Sequence, residues 1–249
     1  MSLLKLIFSS LLLCSGTVLP AQGFQFSGDG SIINNFRDAV FPTRSTAINI
    51  DDPEHRLENT SIPYDQIEGS PFWNDTLQSA RLYSSAGYLG IYPVRINFAT
   101  NEIYFQRGME ELVLTENLVT RIVFPRKVDS TIFISQVPNM LLNRKPVDAF
   151  IQVLNSGNYQ LLKLLRRKVV SVETPSRTAK TYHFSNEVSY FIKQDKRIEY
   201  IRKLSKENIL LFLPGASSLF SWIKENSISF KNENDIVRVL TYYNSNFKN

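Results

Sequence analysis

Residues 80–124 are the part of the sequence that most constrains the fold. Short runs rich in Tyr, Phe, Ile, Val and Thr are separated there by turn-forming pairs, which are Ala86-Gly87, Thr100-Asn101, Arg107-Gly108 and Glu116-Asn117. This spacing is typical of an antiparallel meander, in which tight turns join consecutive strands. Alternation along one run puts Val94, Ile96 and Phe98 on one face of a strand and Arg95, Asn97 and Ala99 on the other. The stretch therefore predicts a sheet with one apolar face.

Strand patterns continue beyond this meander. The further candidates are residues 131–137, 149–154, 159–165, 188–192 and 198–201. Residues 155–158 (NSGN) have the composition of a tight hairpin turn, and residues 194–196 (QDK) join the last two runs in the same way. We therefore expect a mainly β, β-rich α+β fold: an antiparallel meander sheet of about eight to ten strands, either open and curved or partly barrelled.

From Ser205 onward the hydrophobic period changes to that of helices. Ser205 is a suitable N-cap for a helix over residues 206–213, and Ser217 or Ser218 can begin a second helix. Asn232 can cap a third helix, whose apolar stripe consists of Ile236, Val239, Leu240 and Tyr243. These patterns predict a cluster of short helices over residues 204–249, docked on a β domain of residues 71–203.

The first 23 residues have the pattern of a secretory signal peptide. Lys5 precedes an apolar run over residues 6–13, and Ala21 and Gly23 have the small-residue spacing of a cleavage site. We expect export, with no transmembrane segment in the mature chain, since no later run reaches the roughly 20 apolar residues that a membrane-spanning helix needs. Cys14 is the one cysteine, and lipid anchoring through it is disfavoured because Leu13 occupies a position that requires a small residue. Residues 24–70 lack sustained periodicity and predict an irregular lead-in.

Positive charge is concentrated in the middle of the chain. Residues 24–143 contain 9 basic and 14 acidic residues, whereas residues 144–206 contain 14 basic and 5 acidic residues. The most basic run, residues 161–168, fits either a short amphipathic helix or a strand, and the valines that follow it favour a strand. Its cations, Lys163, Arg166, Arg167 and Lys168, are candidates for binding an envelope protein or an anionic envelope surface. The alternative is that they line a solvated face. An exported chain has no access to cytoplasmic nucleic acid, so nucleic acid is not an expected partner.

Motifs for catalysis or cofactor binding were not found. His55 and His183 are the two histidines, and neither has a partner at metal-ligand spacing. The chain has no G-x-S-x-G elbow and no phosphate-binding loop. Paired carboxylates are the remaining route to an enzyme, with Glu102, Glu110 and Glu111 as candidates. We expect no metal, no cofactor and no catalytic residue.

Aromatic residues are frequent in and before the meander. Trp73, Tyr83, Tyr88, Tyr92 and Tyr104 are candidates for a stacking platform that binds sugars or another flat ligand. The alternative is that they pack in the core and across strands, as aromatic residues in sheets commonly do.

Five segments together carry a resemblance: GSPFWND at 69–75, YPVRINFATNEIYF at 92–105, AFIQVLNSGNYQLLK at 149–163, YFIKQDKRIEYIRKLSKENILLFLP at 190–214, and WIKENSISFKNENDIVRVLTYYNS at 222–245. In this order they resemble uncharacterised exported proteins of Bacteroidota-type bacteria. The resemblance implies a signal peptide, a strand-rich body and a helical tail, with no known activity. It also implies that Thr76, in Asp75-Thr76-Leu77, lies in an O-glycosylation motif that such bacteria use.

The functional hypothesis is an exported, non-enzymatic envelope protein that binds a partner protein or an envelope surface. A second hypothesis is a small hydrophobic-ligand (lipid-like) binding protein that uses a curved sheet. A hydrolase is the third.

Overall fold

The computed structural model describes residues 40–41, 47–52, 57–107, 109–114, 118–127, 129–173 and 180–247. The predicted signal peptide with Cys14, His55, the Glu116-Asn117 turn and the polar loop at residues 174–179 lie outside the described residues.

Most of the described chain forms strands, followed by a helical tail. The strands are β1 (Val40–Phe41), β2 (Ala47–Asp52), β3 (Leu57–Pro63), β4 (Ile67–Glu68), β5 (Gln78–Ser84), β6 (Gly87–Asn97), β7 (Glu102–Arg107), β8 (Glu110–Leu114), β9 (Arg121–Phe124), β10 (Thr131–Ile134), β11 (Leu141–Leu142), β12 (Lys145–Pro146), β13 (Ile151–Val153), β14 (Tyr159–Glu173), β15 (Lys180–Gln194) and β16 (Arg197–Ile201). The α-helices are α1 (Lys206–Leu210), α2 (Phe220–Glu225) and α3 (Glu233–Asn246), and 3₁₀ turns occupy Tyr64–Gln66 and Ala216–Leu219. The predicted mainly β fold with a C-terminal helical cluster is confirmed.

Within the described residues, the main sheet has twelve strands in the order β1-β8-β7-β6-β5-β9-β10-β13-β14-β15-β16, with β4 beside β15. Strands β5 to β8 form the first part of the meander predicted over residues 80–124. Strand β9 does not continue it beside β8 but returns to pair with β5, with Arg81 opposite Val123. The sheet is mixed rather than wholly antiparallel, because β4 runs parallel to β15, with Ile67 opposite Tyr182. Among the described strands the end strands β1 and β16 do not pair, so the sheet is not closed into a barrel.

The structure differs from the irregular lead-in expected over residues 24–70. Strands β2 and β3 pair antiparallel as a separate hairpin, with Ile48 opposite Ile62, and β1 pairs with β8. Backbone pairing within a hairpin needs no long apolar period, so this short segment forms strands that the hydrophobic pattern did not predict.

The sheet carries apolar clusters on both faces. On the inner face, one cluster is built from β5 to β10 around Leu82, Ile96 and Phe133. A second inner cluster packs Leu161 and Ile192 of the long hairpin against the helices. On the outer face, residues 135–150 cover Leu162, Leu164 and Phe191. The strands of the hairpin are therefore buried on both faces near their β13 and β16 neighbours, which is why residues 161–165 are almost continuously apolar.

The predicted hairpin at residues 155–158 is confirmed and continues into the longest strands of the fold. Strands β14 and β15 pair from Tyr159 opposite Gln194 to Glu173 opposite Lys180. The last predicted hairpin is also confirmed, because β15 turns at Asp195, whose φ is 51°, into β16. Residues 161–168 form part of a strand, so the helical alternative for this run is excluded.

The helical tail begins and ends largely as its caps predict. The Ser205 side chain accepts a hydrogen bond from the Asn208 amide, and the Asn232 side chain accepts one from the Asp235 amide. Helix α1 ends at Leu210 rather than residue 213, because the amides of Phe212 and Leu213 bond three residues back and tighten the chain into 3₁₀ geometry. The predicted stripe of α3, Ile236, Val239, Leu240 and Tyr243, is buried.

Candidate functional site

Strand alternation divides the four candidate cations between the faces of β14. Lys163 and Arg167 have the same parity as Leu161 and lie on the inner face, whereas Arg166 and Lys168 lie on the outer face. The four residues therefore do not form one surface patch, and each pair has different surroundings.

Lys163 connects the sheet to helix α3. Its Nζ lies 2.8 Å from Oε2 of Glu233, and the hydroxyl of Tyr190, the residue opposite Lys163 on β15, donates to the same oxygen at 3.0 Å. Burial, together with the nearby Glu233 carboxylate, raises the pKa of Tyr190 to about 12. Lys163, Tyr190 and Glu233 thus hold α3 against the sheet, and the ammonium is already paired.

Replacing Tyr190 with phenylalanine is expected to reduce the amount of stability that the protein loses at alkaline pH. Because the pKa of Tyr190 is raised when the protein folds, its contribution is complete below pH 10 and is lost as the pH rises through about 12. The melting temperature of the wild type should therefore fall more steeply between pH 10 and pH 12 than that of Tyr190→Phe. The two proteins differ only by the phenolic hydroxyl, so the difference between their melting curves isolates the effect of the phenol. Parallel melting curves would contradict the assignment.

Arg167 anchors the segment that precedes the meander. Its guanidinium donates to the Ser70 carbonyl, and its amide donates to the Phe98 carbonyl at 3.1 Å. Burial lowers the pKa of Arg167, and the negative charge of Asp75 opposes that change. Through its contact with the Ser70 carbonyl, the partly buried Arg167 holds residues 70–75 in place.

Beyond Arg167 the β14–β15 hairpin forms what we call the arm, residues 166–173 and 180–187. Its inner side contacts the residues before β4, since the rings of Tyr64 and Phe184 lie 6.1 Å apart. Its outer side carries what we call the arm face, which consists of Arg166, Lys168, Val170 and Val172 of β14 and Thr181, His183, Ser185 and Glu187 of β15. Val170 is 36% exposed and Val172 is 48% exposed. The arm face thus combines the cations Arg166 and Lys168 with an exposed apolar stripe, Val170 and Val172, further along β14.

The charges on the arm face are partly balanced. Lys168 Nζ lies 2.7 Å from Oε2 of Glu187, and Arg166 is directly opposite Glu187 in the strand register. The arm face carries two cations and one carboxylate and is therefore net positive, and the carboxylate is paired with Lys168.

The edge of β14 on the arm has no neighbouring strand within the described chain. Strand β13 ends its pairing at Leu164, and the amide of Arg167 makes the last backbone contact, to Phe98. On the opposite edge of the arm, β15 pairs with β4 at Tyr182 and His183. Among the described residues, therefore, no strand pairs with the backbone donors and acceptors on this edge of β14 after Arg167, and such an edge can pair with an added strand.

The carboxylates considered for hydrolysis are engaged elsewhere. Glu111 Oε1 lies 2.9 Å from Arg95 Nη2, and Oε2 of Glu102 accepts from the hydroxyls of Thr100 at 2.6 Å and Tyr104 at 3.3 Å. The Glu110 side chain lies outside the described part of the structure. In the described residues, no group of three or more His, Cys, Asp or Glu side chains could hold a metal ion.

The five candidate aromatic residues do not form one platform. Trp73 packs in the inner cluster against Phe124 and Phe133, and Tyr92 packs against Phe105. Tyr104 is buried beneath Phe72 on the outer face, and burial raises the pKa of its phenol. Tyr83 and Tyr88, unlike the other three, contact each other, with ring centroids 5.4 Å apart near the end of the β5–β6 hairpin.

Thr76 is exposed in a turn after the residues that Arg167 holds. Its amide and hydroxyl both donate to Oδ1 of Asn74, at 3.1 and 3.0 Å. The side chain is therefore accessible at the surface, and its glycosylation stays a prediction.

No protein-family model, curated protein or solved structure matches this chain. Among the described residues, no helix combines the length and the apolar character needed to cross a membrane. The sequence pattern had indicated the cations of the arm but not Val170 and Val172, which it assigned only to a strand. Their alternation with Arg166 and Lys168 was the available sign that all four share a face.

Proposed function

We propose that the protein is an exported, non-enzymatic binding protein, and that its partner is an envelope protein with an extended acidic segment. The observation that supports this is the arm face itself, where exposed Val170 and Val172 follow Arg166 and Lys168 along a strand edge that is unpaired among the described residues. The N-terminal pattern of residues 1–23 supports export.

Strand addition explains why the edge and the face would act together. An extended peptide that pairs with an exposed edge gains affinity from main-chain hydrogen bonds and specificity from alternate side chains. On β14 the same-face side chains of such a peptide would meet the cations first and the valines next. This favours acidic residues at two alternate positions, followed by apolar residues at the next two alternate positions. An anionic lipid surface has no peptide backbone to pair with this edge, so a protein partner fits better.

The hypothesis of a small hydrophobic ligand finds no supporting observation among the described residues. The large apolar side chains of the inner face, such as Phe133 and Tyr159, contact one another or the helical tail.

The proposal can be tested with a synthetic peptide of about eight residues, a length typical of a strand. In this peptide Glu occupies two alternate positions, Val occupies the next two alternate positions, and Thr fills the positions between them. Fluorescence anisotropy at low salt should show binding to the purified protein. The double variant Arg166→Gln with Lys168→Gln is expected to weaken binding about tenfold, because two cations leave the contact surface. Glu187→Gln should instead tighten it about threefold, because a repelling carboxylate is removed.

The matched control removes two exposed cations elsewhere. Arg202→Gln with Lys203→Gln changes the net charge equally but lies after β16, away from the arm, and should leave binding unchanged. A peptide methylated at its backbone nitrogens tests strand pairing, since it keeps the charge and loses the donors. Equal weakening by both double variants, or undiminished binding of the methylated peptide, would refute the proposed site.

A further inference from the structure

A second exposed surface lies on the outer face of the meander, far along the sheet from the arm. Residues near 72 cover the outer face of β6 and β7, where Phe72 lies over Arg95 and Tyr104. Residues 135–150 cover the outer face around β13 and β14. Between these covered regions lies what we call the window, which consists of Arg81 and Tyr83 of β5, Tyr88 and Ile91 of β6, and Arg121 of β9.

The window residues are neighbours in the strand register. Arg81 is opposite Ile91, and Tyr83 is opposite both Tyr88 and Arg121. The guanidinium of Arg121 lies 5.4 Å from the centroid of the Tyr83 ring. Arg81 and Arg121 are diagonal neighbours on adjacent antiparallel strands, a relation that separates side chains by about 7–8 Å.

The window is exposed to an extent unusual for its composition. Tyr88 is 49% exposed and Ile91 is 47% exposed, and both arginines are exposed. The outer-face positions around them on β5, β6 and β9, which include Ser79, Pro93 and Val123, carry no acidic residue. A contiguous exposed surface of aromatic, aliphatic and basic side chains, with no neutralising acid on the described neighbouring strands, is typical of a binding site.

We propose that the window binds a polysaccharide whose sugar rings carry carboxylates. A tyrosine ring presents an apolar face to the C–H side of a sugar and a hydroxyl to its polar edge. Each arginine can pair with a carboxylate through two parallel hydrogen bonds. The rings of Tyr83 and Tyr88 are tilted by 53°, which suits successive sugar units that are rotated relative to each other along a chain.

The size of the window favours a chain-like ligand over a protein. A specific protein interface buries about 800 Å² on each partner and involves about 20–30 residues a side. The window presents five side chains on a sheet surface that is covered on both flanks, so it suits a narrow ligand lying across β9, β5 and β6. This inference is independent of the function proposed for the arm, because the two surfaces share no residue.

The test is affinity electrophoresis of the purified protein in gels containing polygalacturonate, with dextran as the neutral polymer. We expect retardation by polygalacturonate and little by dextran. Tyr88→Ala should weaken retardation about tenfold, the effect of losing one stacking contact. Arg81→Gln with Arg121→Gln should abolish it. Both sites are exposed, so circular dichroism should show that the variants are folded.

Matched controls separate specific binding from simple charge attraction. Tyr200→Ala removes a 42% exposed tyrosine from β16, and Arg202→Gln with Lys203→Gln removes two exposed cations. Both should keep the wild-type retardation. The proposal is overturned if the wild type is not retarded, if Tyr88→Ala has no effect, or if the control pair is as damaging as the arginine pair. Self-association that Tyr88→Ala abolishes, without polymer binding, would assign the window to a second copy of the chain.

Discussion

Replacing Phe133 with alanine is expected to lower the free energy of unfolding by about 3–5 kcal/mol, the usual cost of deleting a buried phenylalanine ring. Phe133 is 1% exposed and lies at the centre of the inner cluster. The centroid of its ring lies 5.1 Å from that of Trp73, 5.8 Å from that of Phe98 and 6.0 Å from that of Phe124. These rings come from separate parts of the sheet, so they cannot all move in to fill the cavity.

Urea denaturation gives the measurement, and Phe220→Ala gives the matched control. Phe220 is 49% exposed, and its nearest described charged contact is Lys206 Nζ, 4.6 Å from the ring centroid. The same chemical change there should cost under about 1 kcal/mol, because little buried surface is lost. If Phe133→Ala cost no more than Phe220→Ala, Phe133 would not lie in a close-packed core.

Local periodicity was enough to predict much of the inner face. Val94, Ile96 and Phe98 are buried as their alternation predicts, and the capping residues Ser205 and Asn232 begin the helices they were expected to begin. These features depend on residues within a few positions of each other, so a single sequence contains the necessary information.

Pairing between distant strands was not predictable in the same way. The return of β9 to β5 and the parallel approach of β4 to β15 depend on how separate units dock. Asn97 is fully buried although it is polar and lies on the face opposite Ile96. Its side chain donates to the Tyr64 hydroxyl and accepts from the Ala99 and Thr100 amides, which satisfies it where an exposed residue was expected.

At the candidate site, too, local features were predictable from the sequence and contacts between distant residues were not. Once residues 161–168 were interpreted as a strand, alternation alone implied that Lys163 and Arg167 lie opposite Arg166 and Lys168. The partners that occupy the inner pair, Glu233 and Ser70, are far away in sequence, and no local pattern points to them. Which cations remain available for binding is therefore a tertiary property.

Gly157→Ala is expected to cost about 3 kcal/mol, because it combines backbone strain with the loss of hydrogen bonds between the helix and the sheet. Gly157 has a φ of 111°, and a Cβ there would lie 2.4 Å from Nδ2 of Asn244 on α3. That amide donates to the carbonyls of Ser156 and Tyr159 at 2.9 Å, and its Oδ1 accepts from the Tyr159 amide at 2.9 Å. Moving Asn244 aside removes the side-chain acceptor of the Tyr159 amide, whereas the Tyr159 carbonyl keeps the hydrogen bond that Asn155 Nδ2 donates at 2.8 Å.

Gly87→Ala separates the two causes, since Gly87 has a φ of 126° but nothing within 4 Å of an added Cβ. It should therefore show the cost of the backbone conformation alone, about 1–2 kcal/mol. Only Gly157→Ala should also loosen α3, which limited proteolysis would detect as faster cleavage of the C-terminal helices under native conditions. Equal losses of stability in the two variants, with unchanged proteolysis, would mean that Asn244 moves aside without lowering the free energy of unfolding. The packing of α3 against the β13–β14 turn would then depend on the apolar stripe of α3 and on the ion pair of Lys163 with Glu233. The hydrogen bonds of Asn244 at Tyr159 would contribute little.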